Sequence, residues 1–157
     1  MVKIFEILRI ILLCLGFALA YSAYFAHQNL LALDWLVALV VIPITGLTAI
    51  QAVFFSATAS EVLGRELGSG YQIQSGLNNA ATAIVAILVL ALHWPAAAKL
   101  VVLFVTLIFF GLSASYHGYE YFFAKRQKQL HLMRIIMTPI LWIASAPIII
   151  AGLNLLK

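Results

Sequence analysis

Five long apolar stretches occupy most of this sequence, and they constrain its fold more than any other feature. Each stretch is about 20 residues or longer, the length that an α-helix needs to cross roughly 30 Å of hydrocarbon. Only 9% of the 157 residues are charged and 65% are hydrophobic, whereas about one quarter of a soluble domain is charged. We therefore predict an all-α integral membrane bundle that forms a single domain over residues 1–157. The five predicted transmembrane helices are 4–25, 31–55, 72–93, 97–123 and 132–155.

The longest connection between the spans, residues 56–71, predicts a short interfacial helix. Thr58 and Glu61 have the spacing of a capping box, apolar residues follow, and Gly68 and Gly70 end the segment. A short amphipathic helix of this kind lies in the plane of the membrane interface.

Basic residues predict the orientation of the bundle. Lys125, Arg126, Lys128 and Arg134 lie within or beside the short loop between the fourth and fifth spans. Because short loops rich in Lys and Arg stay on the cytoplasmic side, this loop is predicted to be inside, with the N-terminus inside and the C-terminus outside. The net charge of +4 is thus attributed to topology, and no nucleic-acid partner is expected. The lipid bilayer is the expected partner, and another membrane protein or a homo-oligomer stays open.

Prolines and small residues predict how the helices bend and pack. Pro43, followed by Thr45, predicts a kink in the second span, where a hydroxyl can satisfy a freed carbonyl. Small residues four positions apart let membrane helices approach closely. The predicted packing pairs are Gly16 with Ala20, Gly76 with Ala80, and Gly111 with Ser115.

Polar residues are predicted to converge in the cytoplasmic half of the bundle, because successive spans reverse direction. Polar side chains inside a membrane are costly unless they face the bundle interior, pair, or reach the headgroups. Two interpretations of this layer stay open, a structural hydrogen-bond layer and a ligand or proton site; Glu6 and Arg9 can pair with each other in the same half. The candidate ligand-binding residues are Gln51, Gln72, Gln74, Asn78, Asn79, His117, Glu120 and Arg134.

Signals for catalysis and for ligated cofactors are absent from the sequence. It contains no HExxH, GxSxG, paired-carboxylate or glycine-rich phosphate motif, so no enzyme activity is predicted. Cys14 is the single cysteine, which excludes an intrachain disulfide and a thiolate metal cluster. No metal site or haem is expected. Asp34, one turn inside the second span, is expected to be hydrated.

Residues 46–88 contain a familiar pattern. The run from Tyr71 to Gly76, YQIQSG, followed by Asn79, resembles the start of a helix in a family of uncharacterised bacterial membrane proteins, which is similar to the DoxX-like small four-helix membrane proteins. The likeness covers about a quarter of the chain. That family commonly has a carboxylate where this chain has Gln74, and a neutral amide can hydrogen-bond but cannot carry a proton.

The resemblance implies a multi-pass protein of the bacterial cytoplasmic (inner) membrane and, at most, a subunit adjacent to a quinone or a bound lipid. No cofactor is predicted, and a bound quinone or lipid stays open. Two functions follow from the sequence as a whole. The first is a non-catalytic accessory or structural subunit of a membrane complex. The alternative is a protein that binds or transports a quinone, a lipid or a small solute through a cytoplasmic-side polar cavity.

Overall fold

The computed structural model describes residues 2–55, 70–123 and 129–157. Regular structure in these residues is entirely helical, and five helices are long and apolar enough to cross a membrane. This confirms the predicted all-α fold and the predicted number of helices that are long and apolar enough to cross a membrane. The predicted interfacial helix falls on residues that the structure does not describe, and the orientation stays a prediction. These five helices are α1 (Val2–Phe25), α2 (Asn29–Phe54), α3 (Gly70–Ala91), α4 (Ala96–Phe122) and α5 (Gln129–Asn154).

Helix α2 forms the centre of the bundle. Half of its most apolar 18-residue window is buried inside the protein, against 11% for the corresponding window of α1. The other four helices pack around it, and α1 lies at the periphery. The core combines Leu33, Leu36, Val37 and Val40 of α2 with Ala20 of α1, Ala86 and Val89 of α3, Leu103 and Leu107 of α4, and Ile148 of α5.

Helix α2 departs from α geometry immediately before its proline. Pro43 has no N–H, and its ring would crowd the carbonyl one turn earlier. A wider π turn, in which the Ile42 N–H bonds to the Val37 carbonyl, accommodates it. Thr45 Oγ1 donates to the Val41 carbonyl at 2.7 Å. The sequence thus predicts where the helix is disturbed but not its π geometry. The three segments of α2 are α-helical Asn29–Leu36, π-helical Val37–Val41 and α-helical Ile42–Phe54.

Two glycines bring α1 and α3 close to α2. A Cβ atom added to Gly16 would lie 2.8 Å from the Cβ of Leu39, and one added to Gly76 would lie 2.8 Å from the Cβ of Ala52. These distances are too short for real side chains, so the small-residue prediction is confirmed at both positions. At Gly111 the nearest atom would be 3.6 Å away, an ordinary contact. A glycine is therefore not required there.

The turns between α1 and α2 and between α3 and α4 each contain a histidine in the left-handed conformation. The φ angles are 59° at His27 and 52° at His93. In the first turn the Gln28 N–H bonds to the Ala23 carbonyl at 2.9 Å and the His27 N–H bonds to the Tyr24 carbonyl at 3.0 Å. The same pair of bonds recurs in the second turn. Both are Schellman caps, which end one helix and reverse the chain into the next.

Candidate functional site

The polar end of the bundle is the end at which α1, α3 and α5 begin and α2 and α4 finish. The candidate residues lie in these helix ends, but they do not all face the same space. Gln74 and Asn78 are exposed, and Arg134 is partly buried. The buried candidates are Gln51, Gln72, Asn79, His117 and Glu120.

Arg9 connects α1 to α2 at the polar end. Its Nη1 donates to Glu6 Oε2 at 2.8 Å, one turn earlier in α1. Its Nη2 makes two longer contacts of 3.4 Å, to Thr48 Oγ1 and Gln51 Oε1 in the last turns of α2. Only 14% of the Arg9 side chain is exposed, so its charge is shielded from solvent and balanced chiefly by Glu6. Gln51 therefore serves as a partner of Arg9 in this structure.

His117 and Arg134 connect α4 to α5. Arg134 Nη1 lies 2.7 Å from His117 Nε2, and the His117 side chain is almost completely buried. A guanidinium group has only donors. The imidazole must therefore accept at Nε2 and carry its proton on Nδ1, which makes His117 a neutral acceptor in this arrangement.

Glu120 lies one turn after His117 on the inner side of α4. Tyr116 donates its hydroxyl to Glu120 Oε1 at 2.9 Å, across one turn of the same helix. A buried carboxylate needs such donors, because an ionised group without them is strongly disfavoured in an apolar environment. On α5, Thr138 Oγ1 donates to the Arg134 carbonyl at 2.9 Å. The Tyr116–Glu120 bond lies within α4 and the Thr138–Arg134 bond within α5, and the contact of Arg134 with His117 links the two helices.

Helix α3 divides its polar residues between two opposite faces. Gln72 and Asn79 lie on the buried face together with Gly76, and Asn79 Nδ2 donates to the Ser75 carbonyl at 2.8 Å. Gln74 follows Gln72 by two residues, or about 200° around a helix with 3.6 residues per turn. It therefore lies on the exposed face, as Asn78 does. The structure does not bring this exposed pair together with His117 and Glu120.

A buried ion pair lies at the opposite end of the bundle, where the turns 26–28 and 92–95 are found. Lys99 Nζ of α4 contacts Asp34 Oδ1 of α2. The Lys99 side chain is 5% exposed and the Asp34 side chain 33% exposed, so the lysine is the more deeply desolvated partner. Asp34, which the sequence predicted to be hydrated, is one-third exposed and also paired with Lys99.

An open groove of about 470 Å³ adjoins this ion pair. Asp34 lies on its surface with polar residues of the first turn and leucines of α2 and the C-terminal segment. The lining residues are His27, Gln28, Asn29, Leu30, Leu31, Asp34 and Leu155. No group of three or more His, Cys, Asp or Glu side chains suited to a metal ion occurs among the described residues.

Two side-chain contacts between helices are missing from the sequence-based set, although the sequence carries a signal for each. Thr48 precedes Gln51 by three residues, so the two side chains share a face of α2 and both can reach Arg9. Asp34 and Lys99 occur at similar distances from the start of α2 and of α4, which point the same way. Depth therefore allows this pair, but only the packing of α4 against α2 shows that it forms.

No protein-family model matches this chain, and no curated protein or solved structure matches it either. The likeness to the DoxX-like proteins therefore stays an expectation from residues 46–88 alone. Gln74, the position at which this chain departs from that family's pattern, lies on the exposed face of α3.

Proposed function

We propose that this chain is a non-catalytic integral membrane subunit, an accessory or structural member of a membrane complex. The observation that carries the proposal is that both arginines in the polar layer contact side chains of a neighbouring helix. Arg9 reaches Gln51 on α2, and Arg134 reaches His117 on α4. Groups that bridge helices in this way fix helix positions, which is the structural interpretation of the polar layer.

The exposed amides of α3 support membership of a complex. Gln74 and Asn78 lie one turn apart on an outward face of a membrane-spanning helix. Polar groups on such a face are stabilised when another membrane helix covers them. A subunit that docks in the membrane accounts for their position, whereas an internal ligand site does not use them.

The proposal places the protein in the bacterial inner membrane with its N-terminus in the cytoplasm and its C-terminus outside. Lys125, Arg126, Lys128 and Arg134 support this orientation through the positive-inside rule. A reporter that is active only outside the cytoplasm should be active when fused after Lys157 and inactive when inserted after Lys125. The reverse pattern would contradict the orientation and leave the role as a subunit intact.

Native mass spectrometry of the protein released from membranes or nanodiscs tests the proposed function. We expect an assembly of two or more polypeptide chains that persists after bound lipids are removed by collisional activation. A monomer that retains one small molecule in a fixed 1:1 ratio would overturn the proposal. The tag used for purification should be compared at both termini, so that it does not itself block an interface.

A second candidate function is binding of a small molecule such as a quinone, a lipid or a small solute. The burial of Gln72, Asn79, His117 and Glu120 at one end of the bundle favours it. In that case a short-chain quinone or a phospholipid should form a 1:1 adduct with the wild-type protein. The adduct should weaken in the His117→Gln variant, which keeps a hydrogen-bond acceptor but loses the imidazole, and should be unaffected by Ser115→Ala on the same helix.

A further inference from the structure

Helix α3 carries an outward stripe of exposed residues with the spacing of a helix-pairing seam. Its members follow one another at intervals of four, three, four and three residues, the pattern that keeps one stripe facing a neighbouring helix. The opposite face of α3 packs inside the bundle through Gly76, Asn79 and Ala83. The outward stripe consists of Gln74, Asn78, Ala81, Val85 and Leu88, all exposed.

Asn78 is too deep in the membrane to be solvated at the interface. It lies six residues after Gln72, the first residue of the apolar span, which places it about 9 Å along the helix axis. The apolar half-thickness of a bilayer is about 15 Å. Gln74 is nearer the end and has a longer side chain, so it can extend towards the headgroups, but the short side chain of Asn78 cannot.

The Asn78 side chain makes no hydrogen bond to any residue that the structure describes; only its backbone carbonyl is used, by Thr82 Oγ1 at 3.0 Å. A primary amide left unpaired in hydrocarbon costs several kcal/mol. A partner within the membrane is therefore required to stabilise Asn78 in this position.

A second copy of the chain satisfies Asn78 by symmetry. Two copies inserted in the same orientation form a closed dimer only around a two-fold axis along the membrane normal. The α3 helices of the two copies then run parallel, and identical residues meet at the same depth. Because an amide donates through Nδ2 and accepts through Oδ1, Asn78 can bond reciprocally to Asn78 of the partner subunit.

The neighbouring residues on the stripe suit a close parallel pair. Ala81 follows Asn78 by three residues and is small enough to let two helix backbones approach. In coiled coils a single asparagine in the apolar seam fixes the register and the two-stranded state of parallel helices, and Asn78 is the deeper of the two amides on this stripe. Val85 and Leu88 continue the seam with apolar contacts.

We propose that two copies of this chain associate through the outward stripe of α3, with Asn78 of each copy hydrogen-bonded to Asn78 of the partner subunit. This inference rests on the proposed function and names its partner. An unrelated membrane protein would have to present a complementary polar group at the same depth, whereas a second copy always does.

Cysteine cross-linking in native membranes tests the geometry. Cys14 is exposed, so the parent chain carries Cys14→Ala and has no other thiol. In this parent, Ala81→Cys should form a disulfide-linked dimer under mild oxidation, because a seam residue can reach the roughly 4.4–6.8 Å between Cα atoms that a disulfide requires. Ile108→Cys is the matched control, because Ile108 is exposed at mid-depth on α4. Equal or stronger cross-linking of the control would overturn the proposal.

Substitution of Asn78 tests the hydrogen bond itself. Asn78→Leu should weaken association roughly three- to thirty-fold, the effect of losing an interhelical hydrogen bond of this kind. The monomer should remain as stable as the wild type, because Asn78 contributes no side-chain bond within the described part of the chain. Ile87→Ala, at an exposed position of α3 outside the stripe, serves as the control.

The outcomes separate this inference from the proposed function. Dimers that persist unchanged in Asn78→Leu, or a stable assembly with a different membrane protein, would overturn the α3 interface and leave the proposed function standing. A monomer that retains a small molecule would overturn both. A dimer that cross-links through Ala81→Cys and weakens in Asn78→Leu supports both.

Discussion

Arg134 Nη1 lies 2.7 Å from His117 Nε2, so a cation at the start of α5 donates a hydrogen bond to a buried imidazole near the end of α4. The direction of this bond follows from chemistry, since the guanidinium offers donors only. It assigns His117 the role of a neutral acceptor between two helices. His117, one of the candidate ligand-binding residues, thus takes part in a side-chain contact between α4 and α5.

Removal of the acceptor at position 117 should destabilise the protein. In His117→Leu we expect the free energy of unfolding to fall by about 1–3 kcal/mol, because the partly buried guanidinium of Arg134 loses the acceptor that His117 provides. His117→Gln should retain a substantial part of the stability, since its amide oxygen can accept from Arg134. Unfolding in mixed micelles with increasing SDS, followed by circular dichroism, measures the difference.

The matched control for this prediction is Ser115→Ala on the same helix. Ser115 is exposed and donates only to the carbonyl of Gly111 at 3.1 Å, so its loss should change stability by less than about 0.5 kcal/mol. If His117→Gln proves as unstable as His117→Leu, the hydrogen bond to Arg134 is not the source of the stability.

Substitution of either member of the Asp34–Lys99 ion pair should destabilise the protein strongly, but to different extents. Asp34→Leu leaves a lysine whose side chain is 5% exposed without its counter-charge, whereas Lys99→Leu leaves a carboxylate that is 33% exposed. We therefore expect Asp34→Leu to be the more destabilising of the two. It should lower the free energy of unfolding by about 3 kcal/mol or more. The double variant Asp34→Leu/Lys99→Leu should recover most of this loss.

A double-mutant cycle on the same two residues measures their coupling directly. Coupling energies of about 0.5–3 kcal/mol are typical of residues in contact. If the losses of stability in the two single variants add up in the double variant, the ion pair contributes no net interaction. If the two single variants lose equal stability, the unequal burial of Asp34 and Lys99 does not determine their effects.

The number of helices was predictable from the sequence because it depends on local properties. A run of about 20 apolar residues is sufficient to indicate a span, and reversal of direction at each turn assigns every residue to one end. Arg9 and Gln51 could therefore be placed at the same end without knowledge of the packing. Their contact, however, depends on how α1 and α2 are rotated about their axes, which the order of residues alone does not determine.

The two polar faces of α3 are a second case in which the sequence does not determine which side chains face inwards. Gln72 and Asn79 face inwards while Gln74 and Asn78 face outwards, and hydrophobic periodicity cannot separate the faces because both contain amides. Gly76 is the signal that distinguishes them. A glycine that allows close approach to α2 identifies the inner face, and the remaining amides then fall on the outer one.

Addition of a methyl group at the close approaches should destabilise the bundle. In Gly16→Ala and Gly76→Ala the new Cβ would lie 2.8 Å from existing atoms of α2, so the helices must move apart. Overpacking of this kind costs about 1–3 kcal/mol. Gly118→Ala is the control, because a Cβ there meets nothing within 4 Å, and it should be neutral or stabilising by up to about 1 kcal/mol. Unfolding in SDS-containing micelles measures the stability change of all three variants. An equal loss of stability in Gly118→Ala would show that a change in helix flexibility, and not overpacking, is the cause.

Replacement of either turn histidine by glycine should stabilise the protein. His27 and His93 have φ angles of 59° and 52°, a region that is unfavourable for a residue with a Cβ and freely accessible to glycine. His27→Gly and His93→Gly should therefore raise the free energy of unfolding by about 0.5–1 kcal/mol each, after allowance for the greater freedom of glycine in the unfolded chain. Gln28→Gly is the matched control, because Gln28 has a φ of −93° and should lose about 0.5–1 kcal/mol instead. Destabilisation by both histidine substitutions would mean that the imidazole rings, and not only the backbone caps, contribute to the stability of these turns.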